Sequence, residues 1–595
     1  MFARILPAIA ALGIAMISLP PASPAATAPT SQDLAKLCDE YWQGYLEAYP
    51  TTATSLGDKR YDDRLDDNTP VGIMKEKRRL EGVLSRVQGI DPGSLSPADR
   101  LTRTALVTET EDQLAWISCG FWEWTVDPRT GPQVGFMNLP DYTTIETPHD
   151  AAMFVTRCRA MGKYLDDETA NLRSGLAKGK TAVRDAVEHT IDQIERMTSS
   201  PIESLGVWRP AKVERKGWSP AQRERFAKDL RAAIQTSLLP ALHRYHDFLK
   251  SSILPAARPP EKAGLAALPD GRDTYRKMIR VHTSLDMTPD EIHQLGLERV
   301  AIFRRDLAAL GQKVLGTSDV AEIQRRLRGD PAMFFKTSAE VEAKARETLA
   351  RAKAAVPQWF GTKQPKAPCD VKVMGMHEAP YSTIAYYRGA SADGKRSAYY
   401  MINTYLPETR PRYEAEALAF HESIPGHHLQ IAVAQELTGL PEFRKHQGVT
   451  AYVEGWGLYS ERLADEMGLY SSDTDRLGML SFDAWRACRL VVDTGIHAKG
   501  WTRQQAIDYM MENSLLAKNN IVNEVDRYIT TPGQALAYKL GQLEILNLRD
   551  QAKQRLGPRF DIKAFHDAVL GNGAVPLPVL REQIEAYIVA AGGAN

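Results

Sequence analysis

Apolar residues recur at helical spacing along most of the chain, with charged residues between them. In the first half this pattern predicts helices over residues 34–49, 70–87, 97–116, 149–178, 183–197 and 220–249. In the second half it predicts helices over residues 411–437, 449–467, 474–497, 503–518 and 533–556. A further helix should begin after Thr288 and run to residue 310, because Thr288, Pro289 and Glu291 form a capping-box sequence. The chain is therefore predicted to be mainly α.

Strand-like character is confined to residues 370–406, just before the predicted 411–437 helix. Residues 397–403 are β-prone, and residues 390–395 predict a turn before them. One small β-sheet should therefore lie next to that helix. A Pro/Gly-rich connector at 254–271 separates an expected N-terminal helical lobe, residues 29–270, from a second region, residues 271–595.

The N-terminus has the features of a bacterial secretory signal peptide. Arg4 is followed by an apolar run over residues 5–19 and by small residues over 21–28. Cleavage after Ala28 fits this pattern best, with cleavage after Ala25 as the alternative. The run is shorter than the roughly 20 residues of a membrane-spanning helix. There is no cysteine near the cleavage site that could carry a lipid, so we do not expect a lipid anchor. We expect residues 1–28 to be removed, leaving a periplasmic or secreted protein without stable membrane insertion.

The composition is typical of a soluble globular protein, with 43% hydrophobic and 25% charged residues among 595. Lys and Arg together number 74, as do Asp and Glu, so no basic excess indicates a nucleic-acid partner. Five scattered cysteines have no CxxC metal-binding spacing. One or two disulfides remain open.

The strongest chemical signal is HESIPGHH, residues 421–428. In the ordinary His-Glu-x-x-His motif, two histidines on one helical face bind Zn²⁺ and the adjacent glutamate activates water. Here a second histidine, His427 or His428, follows His421 by six or seven positions. Pro425 and Gly426 stand between them.

The identity of the second ligand depends on the course of this helix. On a straight helix His428 would share the direction of His421. Pro425 and Gly426 favour a distortion that could instead bring His427 beside His421, so spacing leaves both open. Glu454, on the next predicted helix, is a candidate third ligand.

Several separated motifs together resemble one bacterial family. They are YPTTATSLGDKRYDDRLDD, HESIPGHHLQ, YVEGW, RACRLVVDTGIH and RYITTPGQALAYKLG. In this order they resemble the secreted "domain of unknown function 885" family, which is similar in motif to the Glu-zincin metallopeptidases. The resemblance implies a zincin-like fold with helical lobes around a deep cleft. It also implies Zn²⁺ bound by His421, His427 and Glu454, with Glu422 as general base and His428 as the alternative ligand.

Further candidates follow from this family context. Arg489, Asp493 and His497 share one helical face, which is either an exposed salt-bridged stripe or a wall of the cleft. In the second case Arg489 would contact substrate. His497, oriented by Asp493, would donate a hydrogen bond to the oxyanion.

Four more residues complete the candidate site. Tyr528 or Tyr538 could stabilise the tetrahedral intermediate; we expect Tyr528 to do so and Tyr538 to bind substrate. Arg527 could bind a substrate carboxylate or form a structural ion pair. Asn403 lies where related enzymes pair the substrate backbone with an edge strand.

These features predict a zinc-dependent hydrolase that cleaves peptide bonds in short peptides. Glu422 would take a proton from water and pass it to the leaving amine. One alternative is a metal-dependent hydrolase of a non-peptide amide or ester. Another is an inactive peptide-binding protein of the same fold, although the presence of Glu422 argues against it.

Overall fold

The computed structural model describes residues 29–376, 379, 382–391 and 396–592. These residues form a mainly helical protein with one small sheet, as predicted. The predicted signal peptide, residues 1–28, lies outside them, as does most of the predicted 390–395 turn. Within the described part of the chain, no helix combines the length and the apolar character needed to cross a membrane.

The N-terminal part contains eleven of the α-helices. Several begin at a proline preceded by a capping residue, such as Thr147 before α6 and Ser219 before α9. Their bounds are α1 Pro29–Ala48, α2 Pro50–Leu56, α3 Pro70–Gln88, α4 Pro97–Cys119, α5 Pro132–Asn138, α6 Pro148–Ala177, α7 Arg184–Ser199, α8 Arg209–Lys212, α9 Pro220–Ala233, α10 Leu239–Phe248 and α11 Leu254–Ala256.

The C-terminal part contains the remaining helices and the sheet. The capping box of Thr288 and Glu291 opens α13, as the sequence predicts. The bounds are α12 Gly271–Thr283, α13 Pro289–Leu315, α14 Val320–Gly329, α15 Ser338–Trp359, α16 Ala415–Glu422, α17 His427–Glu436, α18 Glu442–His446, α19 Thr450–Glu466, α20 Asp473–His497, α21 Arg503–Asn513, α22 Lys518–Thr530, α23 Ala537–Leu556, α24 Ile562–Leu570 and α25 Leu577–Ala590.

The sheet has three strands, β1 Cys369–Val373, β2 Ala385–Arg388 and β3 Ala398–Ile402. Their order is β1-β3-β2, with β3 parallel to β1 and antiparallel to β2. Strand β3 is therefore central, and β2 is an edge strand. Asn403 directly follows β3, so it does not lie on the edge where substrate pairing is expected.

The described residues form five hydrophobic clusters, and the two largest support most of the fold. One is formed by residues between 126 and 257, and the largest is built mainly from residues after 300. In the largest core, α19 and α23 approach closely at glycines. A Cβ on Gly455 would lie 2.5 Å from the backbone of Gly541, and one on Gly541 would lie 1.8 Å from the Ala451 oxygen. This contact fixes the relative position of Glu454 on α19 and Tyr538 on α23.

All five cysteines are buried and unpaired. They are Cys38, Cys119, Cys158, Cys369 and Cys488. None of the one or two disulfides that the sequence left open is formed.

Candidate metal centre and cleft

The motif helix is broken at the predicted place. Helix α16 ends at Glu422 and α17 begins at His427. Between them Ser423 has φ −115° and ψ −107°, Gly426 has φ −79° and ψ −129°, and the Ile424–Pro425 peptide bond is cis. A Cβ on Gly426 would lie 1.9 Å from the carbonyl oxygen of His421. Only glycine fits this close backbone approach.

The break brings His427 beside His421. The two imidazole rings lie 4.7 Å apart, and their Nε2 atoms lie 3.3 Å (His427) and 3.6 Å (His421) from Oε2 of Glu454. One ligand atom from each of the three residues lies within 4.8 Å of the others. His421 and His427 are buried, and Glu454 is largely buried.

His428 points away from this cluster. Its Nε2 donates to the backbone oxygen of Ala367 at 3.1 Å, and its Nδ1 accepts from the hydroxyl of Tyr387 at 3.2 Å. The spacing argument for His428 assumed a continuous helix, and α16 and α17 are not continuous. Among the two candidates, the geometry therefore selects His427.

A second glutamate orients the first histidine. Nδ1 of His421 donates to Oε1 of Glu461 at 2.8 Å, so Nε2 of the same ring faces Glu454. A Cβ on Gly457 would lie 2.7 Å from the same ring, so the absence of a side chain there makes room for it. The sequence analysis missed Glu461, although it lies two helical turns after Glu454 on the same face of α19.

The charges around this cluster are strongly coupled. Burial raises the pKa of Glu454, but hydrogen bonds from His421 and His427 outweigh it and hold that pKa well below its usual range. Burial lowers the pKa of His421, but hydrogen bonds to Glu454 and Glu461 raise it to about 9. The carboxylates therefore favour a positive charge here, carried by a proton or by a metal cation.

The donor set fits zinc. Two imidazole nitrogens and one carboxylate oxygen are the His₂Glu set of catalytic zinc sites. Oε2 of Glu454 is buried and is the oxygen that faces both imidazole Nε2 atoms. Glu461 accepts the hydrogen bond from Nδ1 of His421. Metal-binding histidines usually have a carboxylate, carbonyl or water in this position.

Glu422 lies beside the cluster. Its Oε2 accepts from the backbone N–H of Tyr387 at 2.9 Å. Burial raises the pKa of Glu422. Tyr387 was not anticipated from the sequence, because the pairing of the edge strand with the motif helix cannot be read from either segment alone.

The cluster lies in a cleft with a volume of about 820 Å³. Strand β2 forms one wall, α20, α22 and α23 form another, and α7 reaches in from the N-terminal part. The contribution of α7 was missed, because its charged face has no sequence feature that distinguishes it from a solvated one. Its cleft residues are Asp185, Ala186, His189, Asp192, Gln193 and Arg196.

Of the two candidate tyrosines, Tyr528 and Tyr538, it is Tyr538 that lines the cleft. Its ring stacks on His421 with centroids 6.2 Å apart and an angle of 20° between planes. The hydroxyl of Tyr528 instead accepts from Nε1 of Trp485 and Nε of Arg489, both at 2.9 Å, and Tyr528 is completely buried. The role expected for Tyr528 thus fits Tyr538 better, and Tyr528 supports Arg489.

His497 is not placed to stabilise an oxyanion. Its Nε2 donates to the backbone oxygen of Tyr528 at 3.0 Å, and its Nδ1 accepts from the N–H of Leu265 at 3.2 Å. It is completely buried, and burial lowers its pKa to about 4. Asp493 accepts from the hydroxyl of Tyr275 at 2.6 Å rather than from His497. Both residues hold helices together.

The remaining candidates divide into two kinds. Arg489 and Arg527 line the cleft and share Glu524, whose Oε2 lies 2.9 Å and 3.2 Å from their Nη2 atoms. Asn403 is buried, and its side chain donates to the Ala379 oxygen at 2.7 Å. It therefore holds the loop before β2 and does not contact the cleft as a substrate ligand.

Arg486 is a further cleft residue that the sequence analysis missed. Its Nη2 lies 3.5 Å from Oε1 of Glu461, and its guanidinium lies 4.2 Å from the ring of Trp485. It precedes Arg489 by three positions on α20, so helical spacing from Arg489 is the signal that could have found it.

Comparison with known proteins places the chain in a family. No curated protein matches it significantly. It is similar to "The crystal structure of the putative lipoprotein from Colwellia psychrerythraea", with TM-score 0.87, 27% identity, and coverage of 94% of this chain and 99% of that one. It also has the fold of "a putative lipoprotein of unknown function from Shewanella oneidensis", with TM-score 0.71, 20% identity, and coverage of 94% and 100%.

A family model agrees with the motifs found in the sequence. The model described as "Bacterial protein of unknown function (DUF885)" matches residues 50–584. This match covers most of the chain and confirms the resemblance. The chain belongs to the DUF885 family of bacterial proteins.

Proposed function

We propose that this protein is a zinc-dependent peptidase that acts on short peptides. The observation that carries the proposal is the convergence of His421, His427 and Glu454 beside Glu422 in a cleft. These three residues would hold Zn²⁺, which, when bound, supplies Lewis acidity to a substrate carbonyl and to water. We further propose a zincin-like fold for this region, since the small sheet adjoins the motif helix.

Glu422 would be the general base. A general base must hold a proton and then release it, and burial raises the pKa of Glu422 toward that task. The N–H of Tyr387 fixes one carboxylate oxygen at 2.9 Å. Glu422 would take a proton from water and deliver it to the nitrogen of the leaving amine.

Tyr538 would stabilise the developing oxyanion. Its ring is stacked on His421, and it lines the cleft. The guanidinium carbon of Arg489 lies 4.2 Å from the centre of the Tyr538 ring. This positive charge favours hydrogen-bond donation by the phenol to a negative oxygen.

The free edge of β2 favours an extended peptide as the substrate. Ile384 faces β3, since its oxygen accepts from the N–H of Asn403 at 3.1 Å, and Tyr387 faces outward to Glu422. Alternation along the strand then turns the N–H and C=O of Ala385 outward, into the cleft. An extended peptide could add to this edge by backbone hydrogen bonds.

An extracytoplasmic location agrees with this proposal. The similar Colwellia protein is described in its title as a lipoprotein, and the predicted signal peptide supports export of this chain. The first cysteine after that segment, Cys38, is buried, so we propose a soluble exported form. A non-peptide amide or ester and an inactive binding protein remain as outcomes of the test.

The test is turnover and zinc content of the purified protein with a peptide library and a set of simple amides and esters. We expect near-stoichiometric zinc and peptide hydrolysis. Glu422→Gln should reduce turnover by about 10²–10⁴-fold, the usual contribution of a general base, while zinc is retained. Glu512→Gln, at an exposed position, is the control. Full activity in Glu422→Gln, or cleavage of amides and esters alone, would refute this proposal.

A further inference from the structure

Two arginines in the cleft share a single carboxylate. Arg489 is almost completely buried, and its Nη2 donates to Oε2 of Glu524 at 2.9 Å. Nη2 of Arg527 lies 3.2 Å from the same oxygen. Two positive charges therefore face one negative charge, because a guanidinium stays protonated in proteins.

Two nearby acidic groups have other hydrogen-bond partners. Asp526 accepts from Arg503 at 2.5 and 2.9 Å, and Asp493 accepts from Tyr275. Within the described residues, Nη1 of Arg489 and Nε of Arg527 have no hydrogen-bond partner by geometry, and Nη2 of Arg527 has only its ion-pair contact with Glu524. Buried donors without acceptors are costly, so this arginine pair suits an anion.

The arginine pair lies close to the candidate metal centre. Tyr538 connects them, since its ring centre lies 6.2 Å from that of His421 and 4.2 Å from the guanidinium carbon of Arg489. An extended chain spans about 3.3–3.6 Å per residue. If a peptide bond lay at the metal centre, the arginines could therefore reach a group of the same peptide one or two residues away.

The cleft is bridged beside the arginine pair. Nη2 of Arg129, in the N-terminal part, donates to Oγ1 of Thr530 at 2.5 Å. Thr530 follows Arg527 by about one turn of α22. A chain end fits such a closed region better than a chain that continues.

We propose that Arg489 and Arg527 bind the terminal carboxylate of a peptide, so that the protein removes one or two residues from the C-terminus. The planar guanidinium forks match a carboxylate. This inference rests on the proposed peptidase function. One C–N bond breaks, the oxygen of water joins the acyl carbon, and its proton passes through Glu422 to the amine. The reaction needs no other co-reactant.

Binding tests this subsite without turnover. The Glu422→Gln protein, loaded with zinc, is titrated in a calorimeter with acetylated tetra-alanine as the free acid and as the C-terminal amide. We expect the acid to bind roughly 10- to 100-fold more tightly, as for a hydrogen-bonded charge. Adding Arg527→Gln should remove most of this preference, and Arg527→Lys should restore part of it, since lysine keeps the charge but not the fork.

The matched control is Arg305→Gln, at an exposed position on α13. Zinc content and thermal unfolding of each variant verify that it folds. Equal binding of acid and amide, binding of neither peptide, or an unchanged preference in the folded Arg527→Gln variant would overturn the inference.

Product analysis separates this inference from the proposed function. With active protein, mass spectrometry should show peptides shortened by one or two residues from the C-terminus, and the amide should be cleaved poorly. Internal cleavage, or equal rates on acid and amide, would overturn the carboxylate subsite and leave the peptidase. Acid-selective binding without hydrolysis of any peptide would overturn the peptidase and leave the subsite.

Discussion

The two ends of the cleft are buried charge clusters of opposite kind. Around His421, His427 and Glu454, ligand atoms from two imidazoles and a carboxylate converge and form the acceptor-rich end. Around Arg489 and Arg527, donors outnumber acceptors. Buried charges are normally paired. The two proposals follow this contrast, with a metal ion proposed at one end and a peptide carboxylate at the other.

The largest expected effect concerns the acceptor-rich end. His427→Ala should weaken zinc binding by more than about 100-fold, because it removes a proposed ligand. Changing a residue that only supports a ligand weakens metal binding by up to roughly 100-fold. His428→Ala should keep zinc but lose about 1–3 kcal/mol of stability, since the Ala367 oxygen and the Tyr387 hydroxyl lose their partner. Metal analysis and urea unfolding measure both effects.

The opposite pattern would break this assignment. Loss of zinc in His428→Ala with retention in His427→Ala would require a continuous helix from α16 to α17. The cleft would then have no acceptor-rich end of the kind described.

The next effect concerns the arginine-rich end. Glu524→Gln leaves the buried guanidinium of Arg489 and the partly buried one of Arg527 without their carboxylate, so stability should fall by about 3–5 kcal/mol. Glu512→Gln, at an exposed position on α21, should change it by less than about 0.5 kcal/mol. Urea unfolding at neutral pH compares the two. Similar values for both variants would mean that Glu524 is not the anchor of this end.

The same pair gives a pH dependence with a definite sign. Burial raises the pKa of Glu524, but the charges of Arg527 and Arg489 outweigh burial and lower it from 4.5 to about 2. The stabilisation is complete above pH 4.5 and is lost as the pH falls toward 2. The stability difference between wild type and Glu524→Gln should therefore shrink over this interval; a constant difference would contradict the pairing.

The smallest effect concerns the group behind the metal ligands. Glu461→Gln should weaken zinc binding by about 10–100-fold, because the amide holds Nδ1 of His421 less strongly than the carboxylate does. Titration with a competing chelator measures this change. Glu466→Gln, on the same helix but paired with Arg549, is the control and should leave zinc affinity unchanged. Equal zinc affinities in the two variants would mean that Glu461 does not contribute to zinc binding.

The sequence predicted the helical elements and the break in the motif helix. Local chemistry suffices for both, since helical spacing marks the elements and Pro425 with Gly426 disfavours a regular turn. The spacing of the histidines could not choose between His427 and His428, and only the family resemblance favoured His427. That choice depends on the backbone angles of Ser423 and Gly426, which the surrounding packing fixes.

Sequence reasoning failed where one helix is buried on all sides. Arg489, Asp493 and His497 share a face of α20, but α20 is buried along nearly its whole length. A shared face therefore does not identify the cleft, and only Arg489 of the three lines it. Asn403 was misplaced for a related reason, because strand order depends on long-range pairing.

Tyr387 joins three parts of the molecule at one residue. Its N–H holds Glu422, its hydroxyl holds His428, and its strand presents Ala385 to the cleft. The two outward positions of this edge are thus divided between the proposed base and a bound peptide. A peptide paired with Ala385 would be aligned relative to Glu422, because Ala385 and Tyr387 are only two residues apart on β2. Backbone pairing would therefore determine which peptide bond lies next to the proposed base.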